Sequence, residues 1–157
     1  MKIKSISLAL LALMALAVSC DSSDDPADGN QVDATELRAT VQSGQWQVTY
    51  FFDTDSDETA DFNGYVFTFA TDATVTAVNG AIEITGAWSV TMDSGNSMDD
   101  SPDDSDDVDF NLSFASPPDF AELTDDWDIL EYSDTSIRLT DVSGGNGGTD
   151  FLTFEKI

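Results

Sequence analysis

Hydrophobic and polar residues alternate with a period of two along most of the chain after Gln45. The clearest run covers residues 82–92, in which Ile84, Trp88 and Val90 share one face while Glu, Thr and Ser residues occupy the other. Such alternation is typical of a β-strand with one buried and one solvated face. The pattern predicts eight strands, at 45–53, 65–69, 74–79, 82–92, 108–115, 126–133, 136–142 and 150–157.

The connections between these strands are short and rich in turn residues. Residues 79–81 and 133–135 are the tightest of them. Sequential antiparallel strands with tight turns can close into an up-and-down barrel, which leaves no strand edge exposed. The sequence therefore predicts an all-β fold, an eight-stranded antiparallel barrel. A two-sheet β-sandwich is the alternative, and the short connections favour the barrel because they suit meander pairing better than Greek-key crossovers.

A helical pattern precedes the strands. Val32, Leu37 and Val41 stand at helix-compatible spacing, and Asp33 is a suitable N-cap. We therefore expect a short helix over 32–43, followed by the barrel over 44–157. A helical turn is also expected over 119–123.

The first residues resemble a secretory leader. Lys2 and Lys4 precede an almost unbroken apolar run over 8–18. A membrane-spanning helix needs about 20 apolar residues, whereas a secretory core of roughly 7 to 15 matches this run. The sequence predicts that residues 1–19 are a signal peptide, removed by cleavage.

Cys20 is the only cysteine in the chain, so it has no disulfide partner within the molecule. Residues 17–20, Ala-Val-Ser-Cys, resemble a lipobox, in which the cysteine thiol takes a diacylglycerol. An ordinary signal peptide that happens to end near a cysteine is the alternative. Residues 20–31 carry no apolar side chain larger than Ala or Pro, which predicts a flexible acidic tether. Acidic residues just after the cysteine resemble the signal that sends Bacteroidetes-type lipoproteins to the outer face of the outer membrane.

The charge of the chain limits its partners. The formal net charge is −26, and removal of the leader leaves three basic and 31 acidic residues, a net charge of −28. Nucleic acids and anionic lipid headgroups are poor partners for such a surface, because phosphate binding depends on Lys and Arg.

Residues 32–157 suffice for one domain with a real core. We expect a monomer tied to the membrane by its lipid, and the sequence indicates no protein partner.

Gly44-Gln45-Trp46 is the G-x-W motif found at the first strand of lipocalins and related calycins. The motif follows the predicted helix, as it does in that family. The segments 62–69, 86–89, 126–129 and 151–156 also resemble the lipocalin-like domains of exported Bacteroidetes-type lipoproteins. The resemblance implies that Trp46 lies buried at the closed end of the barrel. It also implies a basic residue packed across the indole, for which Lys156 and Arg138 are the candidates.

The resemblance further implies a pocket for a small hydrophobic molecule inside the barrel. The same aromatic side chains can instead fill the barrel outright, and we expect a mostly packed interior. The candidate ligand-contacting residues are Tyr50, Tyr65, Phe67, Trp88 and Phe110.

Missing residue types exclude much chemistry. The chain has no histidine, and no cysteine follows Cys20, which excludes Ser-His-Asp sites, Cys-His sites and zinc held by His or thiolate. We therefore expect no enzyme activity and no tightly held cofactor. Weakly bound Ca²⁺ is the one candidate, because Asp53, Asp55, Asp57 and Asp61 offer oxygen ligands along one loop. That loop lacks the glycine and the glutamate of a complete calcium loop.

Two functional classes remain open. The first is a lipid-anchored module that binds a small hydrophobic molecule, and a deep apolar cavity would favour it. The second is a structural or adhesive surface protein that depends on cations, and a filled barrel with converging loop carboxylates would favour it. A second acidic segment over 93–109 predicts a disordered hairpin loop with diffuse counterions.

Overall fold

A computed structural model of the chain describes residues 32–92, 108–142 and 148–157. The predictions for the leader, for Cys20, for the tether and for most of the acidic segment 93–109 lie outside these ranges. No helix within the described ranges is long and apolar enough to cross a membrane.

The described residues form nine strands, and every strand pairs with its neighbours in the antiparallel sense. Eight of them follow one another around a barrel that closes where β1 pairs with β9. The predicted barrel is confirmed, and this closing pair excludes the sandwich. The short β2 adds a two-residue ladder to the end of β1. The strands are β1 Gln45–Asp53, β2 Ser56–Asp57, β3 Val66–Phe69, β4 Thr74–Asn79, β5 Ile82–Met92, β6 Val108–Ser113, β7 Asp125–Tyr132, β8 Ser136–Val142 and β9 Thr149–Lys156.

The predicted N-terminal helix, α1, spans Ala34–Gln42. One carboxylate oxygen of Asp33 accepts hydrogen bonds from the backbone N–H groups of Thr35 (2.8 Å) and Glu36 (3.0 Å), which confirms the predicted cap. The buried face of α1 packs against β3 and β5. The guanidinium of Arg38 also donates a 2.6 Å hydrogen bond to the carbonyl oxygen of Val90. The helix therefore covers the end of the barrel at which β1 begins.

A β-bulge in β1 changes which side chains face the interior. The pairing with β9 shifts register between Val48 and Tyr50. Beyond the shift, Phe51 is buried, whereas Tyr50 is 39% exposed on the outer wall. The expected inward orientation of Tyr50 is therefore wrong, because it assumed strict alternation and a bulge inserts one extra residue.

Aromatic rings fill the middle of the barrel. Phe69 on β3 lies 5.8 Å from Phe110 on β6 and 5.6 Å from Phe154 on β9, measured between ring centroids. Phe110 and Phe154 are themselves 6.5 Å apart. Because β3, β6 and β9 stand on different sides of the barrel, these contacts cross its interior. The centre is a packed core in which the rings adopt the edge-to-face and tilted arrangements that aromatic side chains prefer.

Two short helical turns close the loop end of the barrel, opposite α1. A 3₁₀ turn at Thr59–Phe62 buries Phe62, and α2 at Pro118–Ala121 buries Phe120. The two rings meet edge to face at 5.3 Å. Phe120 also lies within 5.0 to 5.9 Å of the rings of Tyr65, Phe67 and Phe114. The predicted turn at 119–123 is thus present, and it begins at Pro118.

Candidate functional site

The aspartates of the predicted calcium loop occupy different positions and have different partners. The carboxylate of Asp57 accepts a 3.1 Å hydrogen bond from the N–H of Thr59, the first residue of the 3₁₀ turn. Hydrogen bonds from the side chain and the backbone of Thr59 lower the pKa of Asp57 below its ordinary value. Asp55 lies in the tight turn and Asp61 within the 3₁₀ turn, and both are exposed. The structure does not gather the four predicted aspartates into one group.

A different set of three carboxylates converges at the loop end, and we call it the acidic triad. Asp53 ends β1, Glu58 precedes the 3₁₀ turn, and Glu122 follows α2. One oxygen of each lies within 4.8 Å of the others. Asp53 is the one member that the sequence predicted as a metal ligand. Each oxygen is of the type that Ca²⁺ prefers, and their spacing allows one cation to contact all three.

The loop after β1 folds back on its own strand, which places Glu58 in the triad. The backbone N–H of Glu58 donates a 3.0 Å hydrogen bond to the carbonyl oxygen of Phe51. The hydroxyl of Thr59 accepts from the N–H of Phe51 at 2.9 Å. Contact between Phe62 and Phe120 then brings α2, and Glu122 with it, to the same place. No sequence pattern signals this convergence, because Glu122 arrives through packing of a distant loop.

The pKa of Glu122, one member of the triad, is raised by its neighbours. The pKa of Glu122 rises to about 7, first because its carboxyl shares a hydrogen bond with Glu58 and then because of partial desolvation and the charges of Glu58, Asp53 and Asp119. Burial also raises the pKa of Asp125 to about 6; the backbone N–H of Asp126 opposes this rise, and the carboxylates of Asp126 and Asp141 add to it. Like charges this close favour uptake of a proton or a cation.

Three of the five residues predicted to contact a ligand belong instead to the packed core. Phe67 and Phe110 are fully buried, and Trp88 is 4% exposed with its indole N–H donating to the carbonyl oxygen of Ala70 at 3.0 Å. Tyr65 is half-buried against Phe120, and Tyr50 lies outside the barrel. Two open surface depressions beside Trp88 measure about 120 Å³ and about 110 Å³. Ligand pockets usually measure about 300–1,000 Å³.

The G-x-W motif lies at the end covered by α1. Trp46 is fully buried, and its indole N–H donates a 2.9 Å hydrogen bond to the carbonyl oxygen of Val41. The ammonium of Lys156 sits 5.5 Å from the centroid of the indole and donates to the hydroxyl of Ser43 at 2.8 Å. A Cβ atom at Gly44 would clash with Cε of Lys156, so the glycine leaves room for this crossing.

Lys156 therefore fills the position of the basic residue that the resemblance implied. The other candidate, Arg138, instead forms an exposed ion pair with Glu131 at 3.2 Å. An N-terminal helix, a closed eight-stranded antiparallel barrel and a tryptophan crossed by a basic side chain together define a calycin-like barrel.

Comparison with solved structures finds similarity in fold. The crystal structure of a DUF4847 family protein from Bacteroides vulgatus ATCC 8482 is similar to this chain, with a TM-score of 0.47 and 16% sequence identity. The similarity covers 76% of this chain and 96% of that one. No protein-family model matches the sequence, and no curated protein matches it.

Proposed function

We propose that this protein is a non-catalytic, lipid-anchored surface module whose barrel serves as a rigid scaffold and whose stability depends on counterions. The filled interior carries this proposal. Rings from β3, β5, β6 and β9 occupy the space in which a lipocalin would hold its ligand. The converging carboxylates of the acidic triad favour the same class, because they concentrate negative charge at one end.

A role in carrying a small hydrophobic molecule has less support. An eight-stranded barrel holds one small ligand only where its side chains leave room. Here a ligand would have to displace rings such as Phe110 and Phe154, which are fully buried. Loss of a buried Phe side chain typically costs about 3–5 kcal/mol of stability. The cost of displacing such a ring would therefore strongly oppose the binding of a ligand.

Binding of a neutral hydrophobic probe tests the filled barrel. N-phenyl-1-naphthylamine is a suitable probe because it carries no charge for the acidic surface to repel. We expect no saturable rise in its fluorescence with the wild-type domain. Phe110→Ala should open a dry cavity that small aromatics such as benzene can occupy, with a rise in Tm on benzene addition. Leu130→Ala, on the exposed outer wall, is the matched control and should show no such rise. Saturable one-to-one probe binding by the wild type would reject the filled-barrel proposal.

The lipid anchor is the second part of the proposal, and it rests on the leader pattern and on the solitary Cys20. A lipid on this thiol would tether the domain through residues 20–31 to the outer membrane, with the barrel facing outward. Cys20→Ser removes the thiol that acylation requires. We expect the wild type to carry a diacylglycerol mass and to sediment with membranes, and the variant to lose both properties. An intact-mass spectrum of the host-expressed wild type without lipid would contradict the anchor.

A further inference from the structure

The outer wall of the barrel carries a cluster of aromatic side chains beside the closing pair of strands. The bulge in β1 places Tyr50 and Phe52 on this wall, with their rings stacked at 6.4 Å and an interplanar angle of 16°. Phe52 is the direct partner of Phe151 on β9, and directly paired residues project from the same face of a sheet. Val142 on β8 pairs with Thr149, two residues before Phe151, so it projects from the same face, where it is 64% exposed. We call Tyr50, Phe52, Phe151 and Val142 the aromatic wall.

The aromatic wall differs from the outer positions next to it along the same strands. Gln45 and Gln47 on β1 and Glu155 on β9 face outward and are polar, as expected for a solvated barrel face. Contiguous apolar side chains on such a face usually mark an interaction surface. Tyr and Phe are enriched where protein partners bind, and the paired strands hold these side chains in place before binding.

Charge limits what can dock there. Asp57 on β2 is the direct partner of Phe52, so it projects from the same outer face beside the wall, and it is exposed. The ion pair of Arg138 with Glu131 leaves little net positive charge on the neighbouring strands. The chain as a whole carries a formal net charge of −26. A second copy of this chain, an anionic membrane or a nucleic acid would bring like charges together on contact.

We propose that the aromatic wall is a docking surface for a basic segment of another protein, one that presents apolar side chains to the wall and Lys or Arg to its acidic surroundings. The segment's apolar side chains would cover Tyr50 and Phe52. Its cations would be steered by the field of the whole domain and would pair with the exposed carboxylate of Asp57 beside Phe52. This inference goes beyond the proposed function by naming a partner chemistry, and it does not depend on whether the barrel interior is filled.

Synthetic peptides provide the probes. The first alternates Lys with Leu, the second alternates Glu with Leu, and the third alternates Lys with Ser. Binding is measured by fluorescence anisotropy of labelled peptides in about 0.15 M NaCl, at which the Debye length is about 8 Å. We expect the Lys-Leu peptide to bind at least about tenfold more tightly than either of the others, because only it combines apolar contact with charge complementarity. Equal binding of the Lys-Leu and Lys-Ser peptides would overturn the proposal in favour of diffuse charge attraction.

Variants on the wall locate the binding surface. Tyr50→Ser combined with Phe52→Thr should weaken binding of the Lys-Leu peptide about tenfold or more. Ile82→Thr removes another exposed apolar side chain, 55% exposed on β5, and should leave binding unchanged. Val142 is highly exposed, so Val142→Lys should leave the fold of the wall unchanged. The added positive charge should weaken binding because it repels the peptide's cations. Unchanged binding in Val142→Lys and in the double variant, or a concentration-dependent dimer that occludes the wall in sedimentation, would overturn the proposal.

Discussion

Trp46 is held by groups from three parts of the domain. Its N–H donates to Val41 at the end of α1, its ring lies beneath Lys156 at the end of β9, and its backbone pairs with Phe67 on β3. A buried Trp needs a partner for its indole N–H. The carbonyl at the end of the helix supplies that partner, so the position of the helix and the closure of the barrel depend on the same side chain.

Trp46→Ala should therefore destabilise the domain severely. Removal of a fully buried Trp typically costs about 3–5 kcal/mol, which is a large part of the roughly 5–15 kcal/mol that stabilises a small domain. We expect a large drop in Tm in thermal unfolding followed by circular dichroism. Gln47→Ala, the outward neighbour on the same strand, should change stability by no more than about 0.5 kcal/mol. A Tm equal to that of the wild type in Trp46→Ala would show that the indole is not part of the core.

At the scale of elements, period-two alternation predicted all eight barrel strands, because one face of each strand is buried and the other is wet. It did not predict the bulge in β1, since a bulge arises from pairing with β9 and leaves no local signal. Because of that pairing, Phe51 faces the interior and Tyr50 does not. The same limit applies to the acidic triad. Its members Asp53 and Glu58 share one loop, but Glu122 reaches them only because Phe120 packs against Phe62.

The two helical turns that close the loop end should respond to pH through Glu122. The pKa of its carboxyl rises from an ordinary value of 4.5 to about 7 in the folded state, chiefly through the hydrogen bond with Glu58. The folded state therefore binds this proton more tightly than the unfolded state does. Its stabilising contribution is fully present below about pH 4.5 and is lost as the pH rises through about 7. Asp125, with a pKa raised to about 6, acts in the same direction at slightly lower pH.

We expect Tm to fall between pH 4.5 and 7, and we expect Glu122→Gln to flatten that fall, because glutamine resembles the protonated acid and does not titrate. Asp134→Asn removes the same charge in an exposed turn at the other end of the barrel and should leave the slope as in the wild type. General relief of charge repulsion at low pH affects both variants alike, so the difference between their slopes isolates the triad. Parallel slopes in the two variants would contradict a shared proton at Glu122.

At the scale of the whole molecule, a closely packed aromatic core supports a surface dominated by acidic residues. Charge repulsion opposes folding, because the folded chain brings its excess negative charges closer together than the unfolded chain does. The buried rings of the barrel and of the two helical turns at its loop end must offset this repulsion. Stability should therefore depend more on the ionic medium than it does for a protein of balanced charge.

Added salt should raise the Tm of the mature domain mainly by screening. The mature chain carries a net charge of −28, and the Debye length falls from about 30 Å at 0.01 M ionic strength to about 10 Å at 0.1 M. Screening depends on ionic strength and not on the identity of the ion, so NaCl and CaCl₂ at matched ionic strength should give the same shift. A cation bound at the acidic triad would instead add a shift at low-millimolar Ca²⁺ over a NaCl background, by mass action on the folded state. Asp53→Asn with Glu122→Gln should abolish such an added shift, and Asp134→Asn should retain it. A saturable one-to-one Ca²⁺ isotherm in calorimetry, lost in the double variant alone, would show that screening is not the main effect.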